Sequence, residues 1–258
     1  MDTPRGALVT GSSLHGLGRT IAERLAQDGH IVGISSRTPS DVEQTVAEMR
    51  AQGWPAFAAP GDVTKAEDIQ RMVDTVVREA GGIGILVNNA GGVSGVNASA
   101  SFEEFSEEAW HAIIDRNLTS TFLCCRAAVP HMKAARWGRI INIASESARV
   151  PIVPRIGGYA YASAKSGVLG LSRVLAHELA IHGITVNVVA PGLTLTERVG
   201  AVYNGMTPDQ QKARVSQIKR GYPGEPREVA GAVAYLASED AGYTNGAVLD
   251  VNGGSFMP

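Results

Sequence analysis

A tyrosine and a lysine four residues apart, Tyr161 and Lys165, are the side chains of this sequence best suited to proton transfer. In a helix, residues i and i+4 lie one above the other on the same face. A nearby ammonium favours the ionised form of a phenol, whose pKa in water is about 10. Such a tyrosine can exchange a proton with the oxygen of an alcohol or a carbonyl group.

Ser145 supplies a hydroxyl that could act with this pair. The apolar run at residues 139–144 predicts a buried strand with Ser145 at its carboxyl end. A tyrosine and a lysine at this spacing also occur together by chance, so the pair alone indicates little. Whether these three side chains form a catalytic group therefore depends on the helices and strands that would position them.

The first such element is a glycine-rich turn between a strand and a helix. Residues 7–10 form a short apolar strand, Gly11, Gly16 and Gly18 follow it, and helical periodicity begins near Ile21. Backbone N–H groups and a helix N-terminus at such a turn can bind a pyrophosphate, and glycine lets the ligand approach the backbone closely. The turn could be only a tight connection, but its position after the first strand favours nucleotide binding.

The end of the second predicted strand, residues 31–35, bears on the choice of cofactor. In a dinucleotide-binding fold this strand end faces the adenosine ribose, where an acid suits a free 2′-hydroxyl and an arginine suits a 2′-phosphate. Ser36 and Arg37 follow the strand, and the first acid is Asp41. This pattern favours NADP(H), with NAD(H) as the alternative. Arg37 could also be only a solvated arginine of a loop.

Strands and helices alternate along most of the chain. Apolar runs predict strands at residues 7–10, 31–35, 54–59, 83–87, 138–145, 183–190 and 247–251. Helical periodicity predicts helices from Ile21 to near Gly29 and at residues 41–52, 65–80, 110–134, 159–182 and 227–238. The alternation predicts an α/β fold, a Rossmann-like doubly wound seven-stranded parallel sheet with helices on both faces and ligands at the strand carboxyl ends.

Two segments depart from simple amphipathic patterns. Asn117 lies in the middle of a predicted helix among apolar residues, so we expect it to point inward and to need hydrogen-bond partners. Residues 193–226 show no clear periodicity, and a long irregular segment of this kind is usually a substrate loop or lid. We find no repeat or linker and predict one domain over residues 1–258.

Composition excludes several other classes of protein. The chain has 258 residues, 44% of them hydrophobic, and a formal net charge of −2, which argues against nucleic acid or an anionic membrane as the main partner. No apolar stretch is long enough to span a bilayer, and the amino terminus lacks a signal-peptide pattern. The adjacent Cys124 and Cys125 fit core or interface packing better than redox chemistry. We expect a cytoplasmic protein without a bound metal.

Several motifs follow one another in an order that is specific to one family. They are Thr10-Gly11 with Gly16 and Gly18, Asp62, Asn88-Asn89-Ala90-Gly91, Asn117, Ser145, Tyr161 with Lys165, Pro191-Gly192 with Thr196, and Asn252-Gly253-Gly254. In these residues the chain resembles the short-chain dehydrogenase/reductase family, in its shorter single-domain branch, along nearly its whole length. The resemblance implies the strand order 3-2-1-4-5-6-7 and NAD(P)-dependent hydride transfer between a carbonyl and a secondary alcohol.

The resemblance also implies a role for each site residue. Tyr161 would be the acid and base, Ser145 would hold the substrate oxygen, Lys165 would assist the tyrosine and bind the nicotinamide ribose, and Asn117 would hold a water in a proton relay. Asp62 would meet the adenine. Thr196 would meet the nicotinamide carboxamide. The full set of expected cofactor contacts is Gly11, Ser13, Gly16, Leu17, Gly18, Ser36, Arg37, Asp62, Val63, Asn89, Ala90, Gly91, Tyr161, Lys165, Pro191, Gly192, Thr194 and Thr196.

The sequence departs from the family pattern in three places. Four residues separate Gly11 from Gly16, where the family usually has three. His15 stands before the second glycine, where members that use NADP often carry a basic residue. Ser145 and Tyr161 are sixteen positions apart, somewhat more than usual, with the extra length at residues 150–156.

Three functions remain open from the sequence. The first is a 3-oxoacyl-reductase-like enzyme, and the second is a dehydrogenase of a polyol, sugar, steroid or other secondary alcohol. The third is a catalytically silent nucleotide-binding subunit, although such a subunit has no need of Ser145, Tyr161 and Lys165 together. In each case the partner is a small molecule.

We also expect a homo-oligomer, and specifically a tetramer. Relatives pair the two helices at residues 110–134 and 159–182 across a two-fold axis. Ala162, Ser166 and Gly170 form a small-residue flank on the second helix. The first helix carries a matching run, Cys124, Cys125, Ala127 and Ala128.

Overall fold

The computed structural model describes residues 4–93, 101–150 and 158–258, and within them seven parallel strands form one sheet. The strands are β1 (Gly6–Thr10), β2 (Ile31–Ser35), β3 (Ala56–Ala58), β4 (Ile85–Asn88), β5 (Gly138–Ile143), β6 (Ile184–Pro191) and β7 (Val248–Val251). Their order, β3-β2-β1-β4-β5-β6-β7, confirms the predicted fold class. The order reverses between β1 and β4, so a ligand crevice is expected at the carboxyl ends of these two strands.

Helices connect the strands and cover the sheet. They are α1 (Leu17–Gln27), α2 (Pro39–Ala51), α3 (Ala66–Ala80), α4 (Glu107–Ile114), α5 (Ser120–Ala135), α6 (Gly158–Leu179), α7 (Glu197–Asn204), α8 (Pro208–Val215) and α9 (Pro226–Ala237). In the part of the chain that the structure describes, no helix has the length and apolar character needed to cross a membrane.

Helices cover both faces of the sheet, and successive side chains of each strand pack on opposite faces. In β1, Ala7 and Val9 pack with α1, α2 and α9, whereas Leu8 packs with α3, α5 and α6. Cys124 and Cys125 lie in this second core, where burial raises the pKa of the Cys125 thiol to about 12. The prediction that the cysteines are packing residues is confirmed.

Residues 193–226 are more regular than their sequence pattern indicated, and the expectation of an irregular segment was wrong. They include α7 and α8, each of which begins at a threonine that caps the helix. Thr207 accepts a hydrogen bond from the N–H of Gln210, whose side chain accepts one from the N–H of Thr207. This capping box, followed by Pro208, is a helix-start signal that hydrophobic periodicity alone does not detect.

A chain of buried polar side chains fastens α6 to the sheet. The amide of Asn88 on β4 donates to Asn142 on β5 over 2.8 Å, and the amide of Asn142 donates to Ser172 on α6 over 2.9 Å. Ser172 donates in turn to the carbonyl of Val168. Because α6 carries Tyr161 and Lys165, these bonds help to set the position of both residues relative to the strand ends.

Replacing Asn142 with leucine should lower the free energy of unfolding by about 1–3 kcal/mol, since the amide of Asn88 and the hydroxyl of Ser172 lose a buried partner. Chemical denaturation measures the change. Gln70→Ala is the control, because it removes the hydrogen bond to Asp74 on an exposed face of α3. The control should lie within about 0.5 kcal/mol of the wild type, and equal losses in the two variants would contradict the role given to the buried chain.

Candidate active site

Lys165 is held between α6 and the end of β5. Its Nζ donates to the carbonyl of Ile143 over 2.7 Å and lies 5.7 Å from the ring centroid of Tyr161. The residue is only 3% exposed. Burial lowers the pKa of the Lys165 ammonium from its usual value, and the attraction of Tyr161 opposes this shift. The structure therefore brings the two residues together beside the strand that leads to Ser145.

Ser145 begins a short 3₁₀ turn, Glu146–Ala148, just beyond β5. Its Oγ accepts a hydrogen bond from the N–H of Ser147 over 3.2 Å and another from the hydroxyl of Ser147 over 3.0 Å. The backbone of Ser145 is extended, and the turn starts at the next residue. The hydroxyl is thus fixed at the carboxyl end of a central strand, as the sequence predicts.

Asn117 lies in a π-helical turn, Asp115–Thr119, that joins α4 to α5. The single helix predicted at residues 110–134 is therefore interrupted at this residue. Asn117 is fully buried, and its amide donates to the carbonyls of Gly92 and Ile113 while its Oδ1 accepts from the N–H of Gly92. Both amide protons are used, which confirms that the residue points inward and needs partners.

Gly91 lies between these groups and leaves no room for a side chain. A Cβ at this position would lie 2.6 Å from Oδ1 of Asn117 and 3.3 Å from Nζ of Lys165. The end of β4, the π-helical turn and α6 therefore meet at a glycine that the packing requires.

Leu14 is the strained residue of the glycine-rich turn. Leu14 adopts a left-handed conformation with φ of 50°, which is uncommon outside glycine, and its N–H donates to the hydroxyl of Thr45 on α2. Gly16 has φ of 107° and precedes α1. At Gly18 a Cβ would lie 2.2 Å from the carbonyl oxygen of Gly11, so that position must be glycine. Ser13 and Leu17 lie partly buried in the same turn.

This turn fits the pyrophosphate of a dinucleotide. Gly16 caps α1 without a side-chain hydrogen bond, and the first turn of α1 has no acidic residue. No atom lies within 4 Å of the place where a Cβ would stand on Gly16. An open backbone at a helix N-terminus is a favourable site for a phosphate group.

His15 extends from the glycine-rich turn toward α7. Its Nδ1 lies 3.2 Å from a carboxylate oxygen of Glu197, the residue after Thr196. Both side chains are mostly exposed. The contact connects the turn that the sequence assigns to the pyrophosphate with the segment that it assigns to the nicotinamide.

Residues at the ends of β2 and β3 lie close together. The N–H of Gly61 donates to the carbonyl of Ser36. Burial would raise the pKa of Asp62, but hydrogen bonds from Thr64 and the charges of Arg37 and Lys65 outweigh it and lower that pKa. Arg37 is exposed and takes part in no ion pair within the described ranges.

The side chain of Val63 is buried in the core, so only its backbone could contact an adenine. This residue therefore differs from the other predicted contacts on the adenine side, whose side chains reach the surface at least in part.

Asn89 and Thr10 bind the end of β4 to the glycine-rich turn. The amide of Asn89 donates to the carbonyls of Thr10 and Gly11, and the hydroxyl of Thr10 accepts from the N–H groups of Asn89 and Ala90. The predicted residues Asn89 and Ala90 thus lie at the reversal of strand order. Thr10 was named among the family motifs but not among the site residues.

The segment after β6 supplies the remaining predicted contacts. The N–H of Gly192 donates to Val251, the hydroxyl of Thr194 donates to the carbonyl of Gly192, and the hydroxyl of Thr196 caps α7. Pro191 ends β6. These residues follow the strand next to β5 and lie on the same edge of the sheet as Ser145.

Side chains beyond the predicted set complete this edge. Glu146 is buried and accepts a hydrogen bond from Ser255 in the carboxyl-terminal segment. Arg149 pairs with Asp250 over 3.7 Å and lies over the ring of Phe256. For Glu146 and Arg149, the sequence gives no signal other than their position just after Ser145. The extra length predicted at residues 150–156 falls, from residue 151 onward, outside the described residues.

The fold and the site together define a dinucleotide-binding α/β enzyme, with a glycine-rich turn at the reversal of strand order and a buried lysine beside a tyrosine. Among the residues that the structure describes, no group of side chains could hold a metal ion. The family described as short chain dehydrogenase matches residues 5–206. The chain belongs to this family.

Full-length relatives agree with this assignment. A 3-oxoacyl-[acyl-carrier-protein] reductase of Staphylococcus epidermidis is 36% identical over 254 residues, which cover 98% of this chain and 99% of the relative. The reductase of the same name from Vibrio cholerae is 39% identical, with 97% of each chain covered. A crystal structure of a candidate gluconate dehydrogenase from Agrobacterium tumefaciens matches with a TM-score of 0.88 and 35% identity, over 97% of this chain and 95% of that one.

The protein is therefore an oxidoreductase that interconverts a carbonyl and an alcohol with a nicotinamide cofactor. The predicted family, fold class and enzyme class are confirmed.

Proposed function

We propose that the protein reduces a 3-oxoacyl-type ketone to the 3-hydroxy product, with NADPH as the preferred cofactor. The catalytic part of this proposal rests on one observation. The hydrogen bond from Lys165 Nζ to the carbonyl of Ile143 holds the ammonium beside Tyr161, at the end of the strand that leads to Ser145. The substrate class is supported by similarity to 3-oxoacyl-[acyl-carrier-protein] reductases over nearly the whole chain. The cytoplasmic location stays a prediction.

A bound nicotinamide would supply or accept the hydride, and the side chains of this chain would act on the substrate oxygen. In the reductive direction Ser145 donates a hydrogen bond to the carbonyl oxygen, and Tyr161 gives that oxygen a proton as negative charge develops. The ammonium of Lys165 stabilises the charge that remains on the phenol oxygen, and it would also hold the nicotinamide ribose.

Asn117 is proposed to hold the water that returns a proton to this site. Both amide protons of Asn117 already donate to the carbonyls of Gly92 and Ile113. Asn117 could therefore bind the water only through an oxygen atom, which would accept a hydrogen bond from it. The π-helical turn supports this role because it alters the regular bonding of the helix carbonyls at that point.

A second candidate function is oxidation of a sugar acid, a polyol or another secondary alcohol. The similarity to a candidate gluconate dehydrogenase favours it, at nearly the same identity as the reductases. A panel of 3-oxoacyl thioesters, simple ketones and secondary alcohols, assayed with NADP(H) and NAD(H), distinguishes the two. Turnover of 3-oxoacyl thioesters supports the first, and turnover of polyols or sugar acids alone supports the second.

Replacing Tyr161 with phenylalanine should lower the turnover rate by at least 10²–10⁴-fold, because phenylalanine keeps the ring but has no proton to give. Cofactor binding, measured by titration, should change little. Lys165→Ala should reduce both the rate and the affinity for the cofactor, since its ammonium serves both.

Tyr159→Phe is the matched control for this substitution. Tyr159 packs edge-on against Phe102 and Phe105, and phenylalanine preserves those ring contacts. Most activity should remain. Loss of turnover in the control with survival of Tyr161→Phe would show that another face of α6 carries the chemistry.

Replacing Arg37 with alanine should weaken NADPH binding by roughly ten- to a hundredfold, because a charge-assisted bond to the 2′-phosphate contributes about 1.5–3 kcal/mol. NADH binding should stay nearly unchanged. Fluorescence titration with each cofactor measures both constants. A wild-type protein that already prefers NADH would contradict the assignment and direct attention to Asp62, whose carboxylate interacts with Arg37.

The proposed tetramer rests on different residues of α5 than the sequence indicated. Cys124, Cys125 and Ala128 are buried in the protomer core, so they cannot form the contact. On the outer faces of the two helices, Phe122 and Val174 are exposed large apolar side chains. The flank of Ser166 and Gly170 on α6 is also exposed, and we propose that these surfaces pair across a two-fold axis.

Light scattering at micromolar concentration should return about four times the protomer mass of 27.0 kDa. Val174→Glu should shift the protein toward smaller species, because the charge would be buried at the contact. A wild-type mass near that of one protomer would reject the proposal.

A further inference from the structure

Ser147 contacts the hydroxyl of Ser145 in two ways. Its backbone N–H donates to Oγ of Ser145 over 3.2 Å, and its own hydroxyl donates to the same oxygen over 3.0 Å. Each of the two residues is 7% exposed, so water competes little for these bonds. A residue of any type other than proline would supply the first bond, but only a hydroxyl side chain supplies the second.

These two bonds determine what the Ser145 hydroxyl can still do. A serine hydroxyl has one proton to donate and two lone pairs to accept. With both lone pairs occupied by Ser147, the remaining capacity of Ser145 is its own proton. The hydroxyl therefore cannot accept from a substrate alcohol or from Tyr161 without losing a bond that the turn already makes.

We propose that Ser147 is a positioning residue that directs the Ser145 hydroxyl to donate to the substrate oxygen. The inference rests on the proposed function, in which that oxygen becomes more negative as hydride is added to the carbonyl. A donor aimed at the oxygen stabilises the transition state more than the ground state, so it acts on the rate rather than on substrate binding.

The same turn offers a control for a purely structural role. Ser166 on α6 donates its hydroxyl to the carbonyl of Ala148 over 3.0 Å, one residue beyond Ser147. It holds the turn from the outside and does not contact Ser145. If these hydroxyls only hold the turn in place, removal of the Ser147 hydroxyl and removal of the Ser166 hydroxyl should change kcat to a similar extent.

Steady-state kinetics of Ser147→Ala, Ser147→Thr and Ser166→Ala with a ketone that the wild type reduces test the proposal. Ser147→Ala should lower kcat by about two- to tenfold, the range for one hydrogen bond between neutral groups, and leave KM nearly unchanged. Ser147→Thr should restore most of the rate, because it keeps the hydroxyl. Ser166→Ala should match the wild type, and thermal melts identify any variant that fails to fold.

A double-mutant cycle decides whether Ser147 acts through Ser145. In a Ser145→Ala background, Ser147→Ala should cause no further loss of kcat. An equal loss in both backgrounds, or an unchanged kcat in the single variant, would overturn the inference while leaving the proposed function in place. If Ser145→Ala alone costs no activity, the proposed mechanism itself fails, and that result is distinct from the other two.

Discussion

A buried ammonium is the constraint on which the site depends. A charge removed from water needs close polar partners, and Lys165 finds them in the carbonyl of Ile143 and in Tyr161. Because its Nζ lies beside Asn117, the residue between them at the end of β4 can only be Gly91. One buried charge thus ties α6, β4, β5 and the π-helical turn into a single arrangement.

The glycine-rich turn depends on a second set of fixed contacts. Thr10 and Asn89 join the glycine-rich turn to the end of β4, so the turn has a defined position despite its additional residue. Leu14 adopts a left-handed backbone conformation, which costs energy, and Thr45 holds it there by a hydrogen bond from α2. This strained residue lies between Gly11 and Gly16, and the backbone at Gly16 stays open at the start of α1.

The carboxyl-terminal segment supports the turn that follows Ser145. The turn after Ser145 is bound to the carboxyl-terminal segment by the pairs Glu146 with Ser255 and Arg149 with Asp250. Burial raises the pKa of Asp250, while the guanidinium of Arg149 opposes the shift. These contacts fasten the carboxyl-terminal segment against the turn that begins at Ser145, so the end of the chain supports that turn.

The sequence by itself determined the fold class, the position of most strand ends and the pairing of Tyr161 with Lys165. Those features are encoded locally, since apolar runs give strands, periodicity gives helices and an i, i+4 spacing gives a shared face. The glycines at positions 11, 16 and 18 likewise predict the turn from the sequence alone.

Only the tertiary structure decided the features that depend on contacts between distant segments. The π-helical turn at Asn117 is paired with Gly92, and the burial of Cys124 and Cys125 removes them from any outer surface. The helices α7 and α8 were missed because their starts are set by side-chain caps in a segment with little apolar periodicity. The two hydrogen bonds from Ser147 to Ser145 could not be predicted from the sequence. They depend on the 3₁₀ turn that brings the two hydroxyls together, and residues 145–148 show no pattern that predicts such a turn.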